Sequence, residues 1–504
     1  MNNSLEDKKN LIEKLLIEDV KVATGCTEPV TIALASLYAC RELHDEHVKK
    51  LIIKPSINLF KNAMEVGIPG TDYNHGVPLA AALGAVLAKE NKSKITPDLN
   101  ILSNINQDHF ITAKSLVNSG KVSIEIDYTS HGLSVEALVI GENGTNVLSL
   151  IKDSHDNLFR LEKNGKTLLP DIKSNSANYP IEKEEKKIDQ NIDANQSIRS
   201  NQNPLIDLRH ELALIPYKEI VSLLPQLSLE CKKHLLEGMN VNWKMLESAI
   251  TSSRGILKIG PAYRELFKEC EKNIKDASQD LVENTFLNQA ITAVAAAVDA
   301  RMSGFDMPVM TSAGSGNQGL TITLPLKTYF ELYQIPETIL CEALALGHLT
   351  TSITKAHTGT LSAMCGCVVC AGIGLAAALT YLMFYRRNNH AVLSDKDLDE
   401  MMDELSSAID IMVASVTGII CDGAKVGCSV KAVCSVTSAY HAAILASSKI
   451  KIPATNGVLG HNIDVTLRNL GKIASPGMIS TDDQILSIMI NKPNGNNKIT
   501  SENE

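Results

Sequence analysis

The 504-residue sequence predicts a predominantly helical α+β fold, with an all-α C-terminal domain and a smaller α/β region before it. Hydrophobic residues make up 44% of the chain but aromatic residues only 4%, so Ala, Leu, Ile and Val must form the core. Small residues allow helices to pack closely. Apolar residues alternate at period two between residues 121 and 151, whereas helical spacing dominates from about 205 to 490.

The N-terminal part predicts two helices separated by a turn. Apolar residues at helical spacing indicate a helix over residues 5–22, and a second is expected over Val30–Leu43, with Pro29 in its first turn. Cys26 then lies just before a helix N-terminus, where backbone N–H groups and the helix dipole should stabilise a thiolate and lower its pKa. A buried structural cysteine beside a turn is the alternative.

The α/β region and the helical region are predicted to be separated by a polar segment, residues 172–204, rich in Asn, Gln, Ser, Lys and Asp. Such a segment buries too little apolar surface to offset its chain entropy, so a disordered insertion or linker is expected. The elements predicted before it are a strand and turn over 48–60, a helix over 79–88, and strands over 121–128, 132–140 and 146–151. The helices predicted after it cover 282–300, 327–333, 337–350, 361–386, 395–414 and 430–447.

Charge and cysteine content exclude several classes of protein. A net charge of −9 gives no electrostatic basis for nucleic-acid binding. The start of the chain lacks the apolar core of a signal peptide, and the run Ala371–Tyr385 is shorter than the roughly 20 residues that span a bilayer. The eleven cysteines are clustered rather than spread as a disulfide framework. We therefore expect a cytoplasmic protein that binds no membrane.

Two cysteine groups and one glycine-rich loop are candidates for chemistry. Cys365, Cys367 and Cys370 form C-x-C-x-x-C, while Cys421 and Cys428 form C-x6-C, and thiolates gathered in this way usually bind zinc or iron. If three thiolates held a four-iron cluster, one iron would lack a protein ligand and could accept a substrate oxygen or sulfur. Helix packing with incidental cysteines is the alternative. The loop 311–319 offers backbone N–H groups and neutral side chains for a carboxylate, or is a plain connection.

Eight short segments stand in order along nearly the whole chain apart from 172–204: Gly25-Cys-Thr-Glu-Pro29, Lys61-Asn62, Pro69-Gly-Thr71, Asp299-Ala-Arg-Met302, Ser315-Gly-Asn-Gln-Gly319, Leu361-Ser-Ala-Met-Cys365, Gly418-Ile-Ile-Cys-Asp-Gly-Ala424 and Cys428. Together they resemble the L-cysteine desulfidase family, which is related to the α-chain of bacterial iron–sulfur L-serine dehydratases.

The resemblance implies an α,β-elimination that uses an oxygen-sensitive [4Fe–4S] cluster and no PLP, converting L-cysteine to pyruvate, ammonia and hydrogen sulfide. It implies Cys365, Cys421 and Cys428 as cluster ligands, although Cys367 or Cys370 could replace Cys365. Cys26 matches the active-site cysteine, and its thiolate would remove the α-proton. The substrate-binding candidates are Lys61, Asn62, Arg301, Ser315, Gly316, Asn317 and Gln318. Further polar candidates, each of which could instead be structural, are His348, Lys355 and His357.

The predicted organisation has five parts. They are N-terminal helices carrying Cys26 and packing on the catalytic domain (1–45), an α/β domain (46–171), the polar insertion (172–204), a helical cluster-binding catalytic domain (205–490) and a disordered tail (491–504). The expected partner is a small amino acid, and a homodimer is left open. L-serine dehydration by the same machinery and a non-catalytic metal-binding regulatory protein are the alternatives, and a transporter is disfavoured because too few helices are long enough.

Overall fold

Helices account for most of the chain, and the predicted, predominantly helical α+β class is confirmed. A computed structural model describes residues 4–90, 97–130, 132–168, 204–252, 255–263, 265, 285–388 and 394–492. Nearly all of the predicted insertion 172–204 and of the predicted tail 491–504 lies outside the described residues. The division into five parts stays a prediction.

The described residues between Thr27 and Thr167 form a six-stranded sheet covered by helices. The sheet order is β3-β2-β4-β5-β6-β7, in which β2 and β3 run parallel and the other neighbours antiparallel. The elements are α1 (Leu5–Asp19), β1 (Val22–Thr24), α2 (Thr27–Arg41), β2 (Val48–Pro55), α3 (Ile57–Ala63), α4 (Val77–Leu87), α5 (Gln107–Asn118), β3 (Val122–Ile124), β4 (Ser134–Gly141), β5 (Asn146–Lys152), β6 (Leu158–Lys163) and β7 (Lys166–Thr167).

The sheet buries one face because apolar side chains alternate along its central strands. Val135, Ala137 and Val139 of β4 are buried, and the residues between them are partly exposed. Helix α2 packs on β4 and β5, and α4 packs on α2. Gly84 of α4 makes this contact possible, because a Cβ atom there would lie 2.0 Å from the Ala33 carbonyl oxygen of α2.

The remaining helices form a second core with α12 near its centre. Almost every residue of α12 is buried, and it packs against α10, α11, α13 and α14. The elements are α6 (Pro204–Leu212), α7 (Tyr217–Leu223), α8 (Leu229–Thr251), α9 (Thr285–Met302), β8 (Pro308–Met310), α10 (Gly316–Tyr333), α11 (Glu337–Thr358), α12 (Cys370–Arg387), α13 (Asp395–Val416), α14 (Cys428–Ser447), α15 (Ile463–Lys472) and α16 (Ile479–Ile490).

The two cores are tied together near the N-terminus. The apolar face of α1 packs into the helical core, whereas α2 belongs to the core under the sheet. Between them, β1 pairs antiparallel with β8, with Val22 opposite Met310 and Thr24 opposite Pro308. The pairing continues into the start of the glycine-rich loop 311–319, where the Thr311 N–H donates to the Lys21 carbonyl at 2.9 Å.

Several predicted boundaries differ from the structure. The turn expected within 48–60 is instead the start of α3, whose apolar residues Ile57, Leu59 and Phe60 are all buried. The helix expected over 327–333 begins at Gly316 and continues through Pro325, because burial of this helix outweighs the lost N–H. The predicted loop 311–319 therefore contributes its last residues to that helix.

The helix expected over 361–386 begins only at Cys370. Residues Ala363 to Cys365 are extended instead, because their backbone pairs with a segment near Cys421. That pairing joins residues far apart in the chain, so helical spacing could not reveal it.

Helix α14 is the single helix in the described ranges that is long and apolar enough, by length and composition, to cross a membrane. It packs against α9, α12 and α13. The run Ala371–Tyr385, noted in the sequence for its apolar character, lies in α12 and is mostly buried among other helices.

The contact between α2 and α4 can be tested at Gly84. The substitution Gly84→Ala should lower the free energy of unfolding by roughly 1–3 kcal/mol, because the added methyl forces the Ala33 backbone to move. Gly418→Ala is the control, since a Cβ atom there meets nothing within 4 Å. Chemical denaturation followed by circular dichroism measures both variants, and equal midpoints would contradict the predicted contact.

Candidate active site

Backbone hydrogen bonds join the two cysteine segments. The Cys365 N–H donates to the Ile419 carbonyl at 2.9 Å, and the Cys421 N–H donates to the Ala363 carbonyl at 2.6 Å. Met364 and Ile420 form the antiparallel bridge between them. Cys428 follows as the first residue of α14. The structure thus brings both predicted cysteine groups to one place.

The thiols of this group interact electrostatically, which shows that they are neighbours. A hydrogen bond between Cys365 and Cys367 lowers the pKa of Cys365 and raises that of Cys367. Burial, followed by the negative charge of Cys365, raises the pKa of Cys421 and raises that of Cys428 to about 12. Cys370 lies on α12, where its sulfur contacts the Thr358 hydroxyl at 3.5 Å. Cys367 therefore interacts with all three predicted ligands, whereas the Cys370 thiol contacts Thr358.

The cysteine group consists of sulfur donors only. Within the described part of the chain, no three His, Cys, Asp or Glu side chains converge closely enough to hold one metal ion. Thiolates around one tetrahedral zinc lie roughly 4 Å apart, because each Zn–S bond is about 2.3 Å. In a [4Fe–4S] cluster each cysteine binds a different iron, so the sulfurs lie farther apart. A donor set made only of thiols also suits iron–sulfur chemistry.

Lys61 and Asn62 lie on α3, directly against the Cys421 segment. The Cys421 thiol points to the Asn62 side-chain oxygen at 3.5 Å. Lys61 is fully buried and pairs with Asp482 of α16 at 2.5 Å. At Gly423, φ is +90° and a Cβ atom would lie 2.6 Å from the Lys61 carbonyl oxygen, so only glycine fits. Of this predicted pair, Asn62 faces the cysteines and Lys61 is held by a carboxylate.

Gln318 and Lys355 approach the cysteine segment from the other side. A Cβ atom on Gly366 would lie 2.8 Å from Gln318 Nε2 and 3.1 Å from Lys355 Nζ. Both side chains are buried, and the Gln318 side-chain oxygen has no hydrogen-bond partner. The Lys355 ammonium donates to the Thr360 carbonyl at 2.7 Å. The first turn of α10 thereby places Gln318, one of the predicted binding residues, next to the cysteine segment.

Arg301 connects the start of α10 to the turn before α2. Its Nη1 donates to the Asn317 side-chain oxygen at 2.8 Å and its Nη2 donates to the Gly25 carbonyl at 2.6 Å. Gly316 packs on the guanidinium, where a Cβ atom would lie only 2.7 Å away. The Ser315 backbone exchanges hydrogen bonds with Ser312. Arg301 therefore holds the turn before α2 and the start of α10 together. Its Nε is buried without a hydrogen-bond partner.

Cys26 lies at the N-cap of α2, next to the helix N-terminus as predicted, but its electrostatics differ from the prediction. The thiol donates to Glu28 Oε2 at 2.8 Å. Burial and then the negative charge of Glu28 raise the pKa of Cys26 well above its usual range, against the opposing charge of Arg301. The expectation of a lowered pKa is wrong, because desolvation and the adjacent carboxylate outweigh the helix dipole.

The sequence analysis assigned no role to several buried polar residues of this region. His155 lies against Gly314, its Nε2 is buried without a partner, and burial lowers its pKa to about 4. Asp19 forms an ion pair with Arg209 and accepts from the Ser352 hydroxyl at 2.6 Å. Glu28 could have been noticed, since it lies within the segment Gly25–Pro29. His155 and Asp19 belong to none of the motifs, so no sequence pattern marks them as site residues.

Of the three further polar candidates, Lys355 reaches the cysteines and the two histidines are placed elsewhere. His348 contacts the Ser312 hydroxyl through Nδ1 at 2.9 Å, and burial lowers its pKa to about 4. The backbone of His357 packs against Gly471 of α15. Burial, followed by the charge of Arg468, lowers the pKa of His357 to about 4.

A cavity of about 330 Å³ lies where the two cores meet. Lys355 lies in its wall and also touches Gly366, and Asp482 lies in its wall and also holds Lys61. The other charged or titratable residues in the wall are Asp153, Arg209 and His210. The cavity therefore offers both signs of charge next to the cysteine group.

These features define a helical α+β protein with a thiol-rich buried site beside a charged cavity. Residues 130–487 match the family model described as the serine dehydratase alpha chain. The chain is 33% identical to a UPF0597 protein of Alkaliphilus oremlandii over 481 residues, which cover 95% of this chain and 98% of that protein. It is 30% identical to a UPF0597 protein of Clostridium tetani over 97% of this chain and all of that protein. The chain belongs to the serine dehydratase alpha chain family.

The buried ion pair between Lys61 and Asp482 should be a large contributor to stability at the site. Removing one partner leaves an unpaired buried charge, so Lys61→Met or Asp482→Asn should each cost about 3 kcal/mol. The double variant Lys61→Met with Asp482→Asn should cost less than the sum of the two single variants. Denaturation midpoints measure these effects.

The exposed pair Lys218–Asp399 supplies the matched control, and Lys218→Met should change stability little. Additive effects of the Lys61 and Asp482 substitutions would contradict a direct interaction between the two side chains.

His348 should make stability depend on pH between about 6.5 and 4. Its pKa in the fold is about 4, below the value near 6.5 in an unfolded chain, because burial disfavours the charged imidazole. In this window the unfolded chain binds more protons, so stability is present above the window and is lost as the pH falls. His348→Gln should reduce this loss by about 3 kcal/mol at most, measured by denaturation at pH 7 and pH 4.

The exposed His441 is the control, and His441→Gln should leave the pH dependence unchanged. An unchanged slope for His348→Gln would show that this imidazole does not titrate differently in the fold.

Proposed function

We propose that this protein is a lyase that eliminates the β-substituent of a small α-amino acid, with L-cysteine as substrate and pyruvate, ammonia and hydrogen sulfide as products. The reaction would use a [4Fe–4S] cluster held by Cys365, Cys421 and Cys428, without PLP. The observation that carries the proposal is the backbone pairing of Ala363–Cys365 with Ile419–Cys421. This pairing brings the two cysteine segments together, next to a cavity whose wall carries both acidic and basic side chains.

When bound, such a cluster would supply Lewis acidity, since three protein ligands leave one iron open to the substrate. The thiols suit this role because they are buried or partly buried, and they come from the two ends of one backbone pairing. Cys367 is the alternative to Cys365, because the two share a hydrogen bond. Lys431 lies near Cys365 and Cys421 and would offset part of the negative charge of the thiolates.

The charged groups around the cysteines suit an amino-acid zwitterion. Lys355 has three N–H bonds and donates to the carbonyls of Thr360 and Gly359, so a third hydrogen remains for a substrate carboxylate. Gln318 stands beside it at Gly366 with an amide nitrogen for the same purpose. Asp153 in the cavity wall supplies a carboxylate for the substrate ammonium.

Cys26 would act on the α-proton from the opposite side of the α10 N-terminus. Its turn is fixed by the bond from Arg301 to Gly25, and Arg301 in turn holds Asn317, next to Gln318. Removal of the α-proton and departure of hydrosulfide leave an enamine, which tautomerises and reacts with water to give pyruvate and ammonia. Cys26, on one side of the α10 N-terminus, would therefore remove the proton. Gln318 and Lys355, on the other side, would bind the substrate.

L-Serine is the second candidate substrate, favoured by the description of the family model that matches residues 130–487. Hydroxide and hydrosulfide are both β-leaving groups, and the same proton removal serves either. Relative turnover of L-cysteine and L-serine, measured anaerobically by pyruvate formation, separates these candidates.

Cysteine substitutions test the proposed cluster and the proposed role of Cys26 separately. Cys421→Ser or Cys428→Ser should abolish turnover and also lower bound iron, inorganic sulfide and broad visible absorption, because a ligand is lost. Cys26→Ala should lower turnover by at least about 100-fold while iron and sulfide stay near the wild-type content. Cys434→Ser is the matched control, since this exposed cysteine lies on α14 away from the N-terminal turn of that helix.

The measurements are made on protein purified and reconstituted without oxygen, and exposure to air should inactivate it. Stoichiometric zinc without iron or sulfide would overturn the cluster and favour a non-catalytic metal-binding protein. Loss of iron in Cys26→Ala would mean that Cys26 is a ligand and not the base.

A further inference from the structure

A buried thiol and a partly exposed carboxylate form a hydrogen-bonded pair at the first turn of α2. Cys26 is 4% exposed, and its sulfur lies 2.8 Å from Glu28 Oε2. The same oxygen accepts a hydrogen bond from the Thr27 hydroxyl at 3.2 Å. The contact directs the S–H bond of Cys26 at a carboxylate oxygen, which is a hydrogen-bond acceptor.

Buried polar side chains surround the pair. Arg301 fixes the preceding Gly25 carbonyl at 2.6 Å, which sets the position of the Cys26 backbone. His155 lies close to Glu28, is 5% exposed and has a buried Nε2 without a partner. Further charges that act on His155 come from Asp156, Lys355 and Arg209.

A neutral thiol cannot remove a proton from carbon, so Cys26 needs a proton acceptor before it can serve as the base of the proposed elimination. Arg301 is always protonated and cannot accept. Among the described side chains, Glu28 is the one that accepts a hydrogen bond from the sulfur.

We propose that Glu28 accepts the proton of Cys26 and returns it to the leaving group, an inference that rests on the proposed function. In the first step the S–H bond breaks, the electron pair stays on sulfur and the proton moves to Glu28 Oε2. The thiolate then takes the α-proton, and the C–H electron pair forms the double bond as the C–S bond breaks. Hydrosulfide takes the proton from Glu28 and leaves as hydrogen sulfide. Both Cys26 and Glu28 end in their starting forms.

The test combines a thiol measurement that needs no substrate with a turnover measurement. The rate at which iodoacetamide labels Cys26 in the full-length protein is followed from pH 6 to pH 10, with mass spectrometry of the Cys26 peptide. In Glu28→Gln the labelling profile should shift to lower pH, because the neutral amide no longer repels the thiolate. Turnover of L-cysteine or L-serine by the same variant should fall by at least about 100-fold.

These two changes have opposite directions, and a merely structural role for Glu28 would not produce them. Glu28→Asp keeps a carboxylate and should restore part of the turnover. Glu18→Gln, which changes an exposed glutamate of α1, is the matched control and should alter neither measurement. Circular dichroism and iron content confirm that each variant is folded and loaded.

Turnover of Glu28→Gln within about threefold of wild type would overturn the proposal. An unshifted labelling profile would also overturn it, because the carboxylate would then not be coupled to the thiol. If the loaded wild-type protein turns over neither amino acid, the proposed function fails. A shifted labelling profile would in that case still support proton exchange between Cys26 and Glu28.

Discussion

The backbone pairing between Ala363–Cys365 and Ile419–Cys421 is the constraint on which the rest of the site depends. Each hydrogen bond contributes only about 1 kcal/mol net, but leaving either buried N–H unpaired would cost more. The pairing also keeps the residues before Cys370 out of the helix, so that Cys365 lies in an extended segment and Cys367 in a turn. Cys428 follows at the start of α14.

The start of α10 connects this cysteine group to the N-terminal part of the chain. Gln318 touches Gly366 on one side, and Asn317 binds Arg301 on the other, which in turn holds Gly25. The backbone pairing of β1 with β8 joins the strand before Cys26 to the strand before α10. A polar site therefore forms where two apolar cores meet, because neither core alone could satisfy these buried groups.

Several buried polar groups at this junction are held by a carboxylate or a cation. Lys61 is held by Asp482, Asp19 by Arg209, and the Cys26 thiol by Glu28. Pairing lowers the cost of burial and fixes the side chains, which is a requirement for a site that positions a small substrate. Lys355 lies in the cavity wall and also next to Gly366. It therefore connects the cavity to the cysteine segment.

The sequence by itself determined the predominantly helical class, the strands β2, β4 and β5, and the place of Cys26 next to a helix N-terminus, because these follow from local spacing and turn residues. It also identified the two cysteine groups and the family they resemble. Only the tertiary structure decided that Cys365 lies in an extended segment and that Lys61 is bound by Asp482. It alone showed that Glu28 and burial raise the pKa of Cys26. These features depend on contacts between residues distant in the chain and on desolvation, and neither has a local sequence signature.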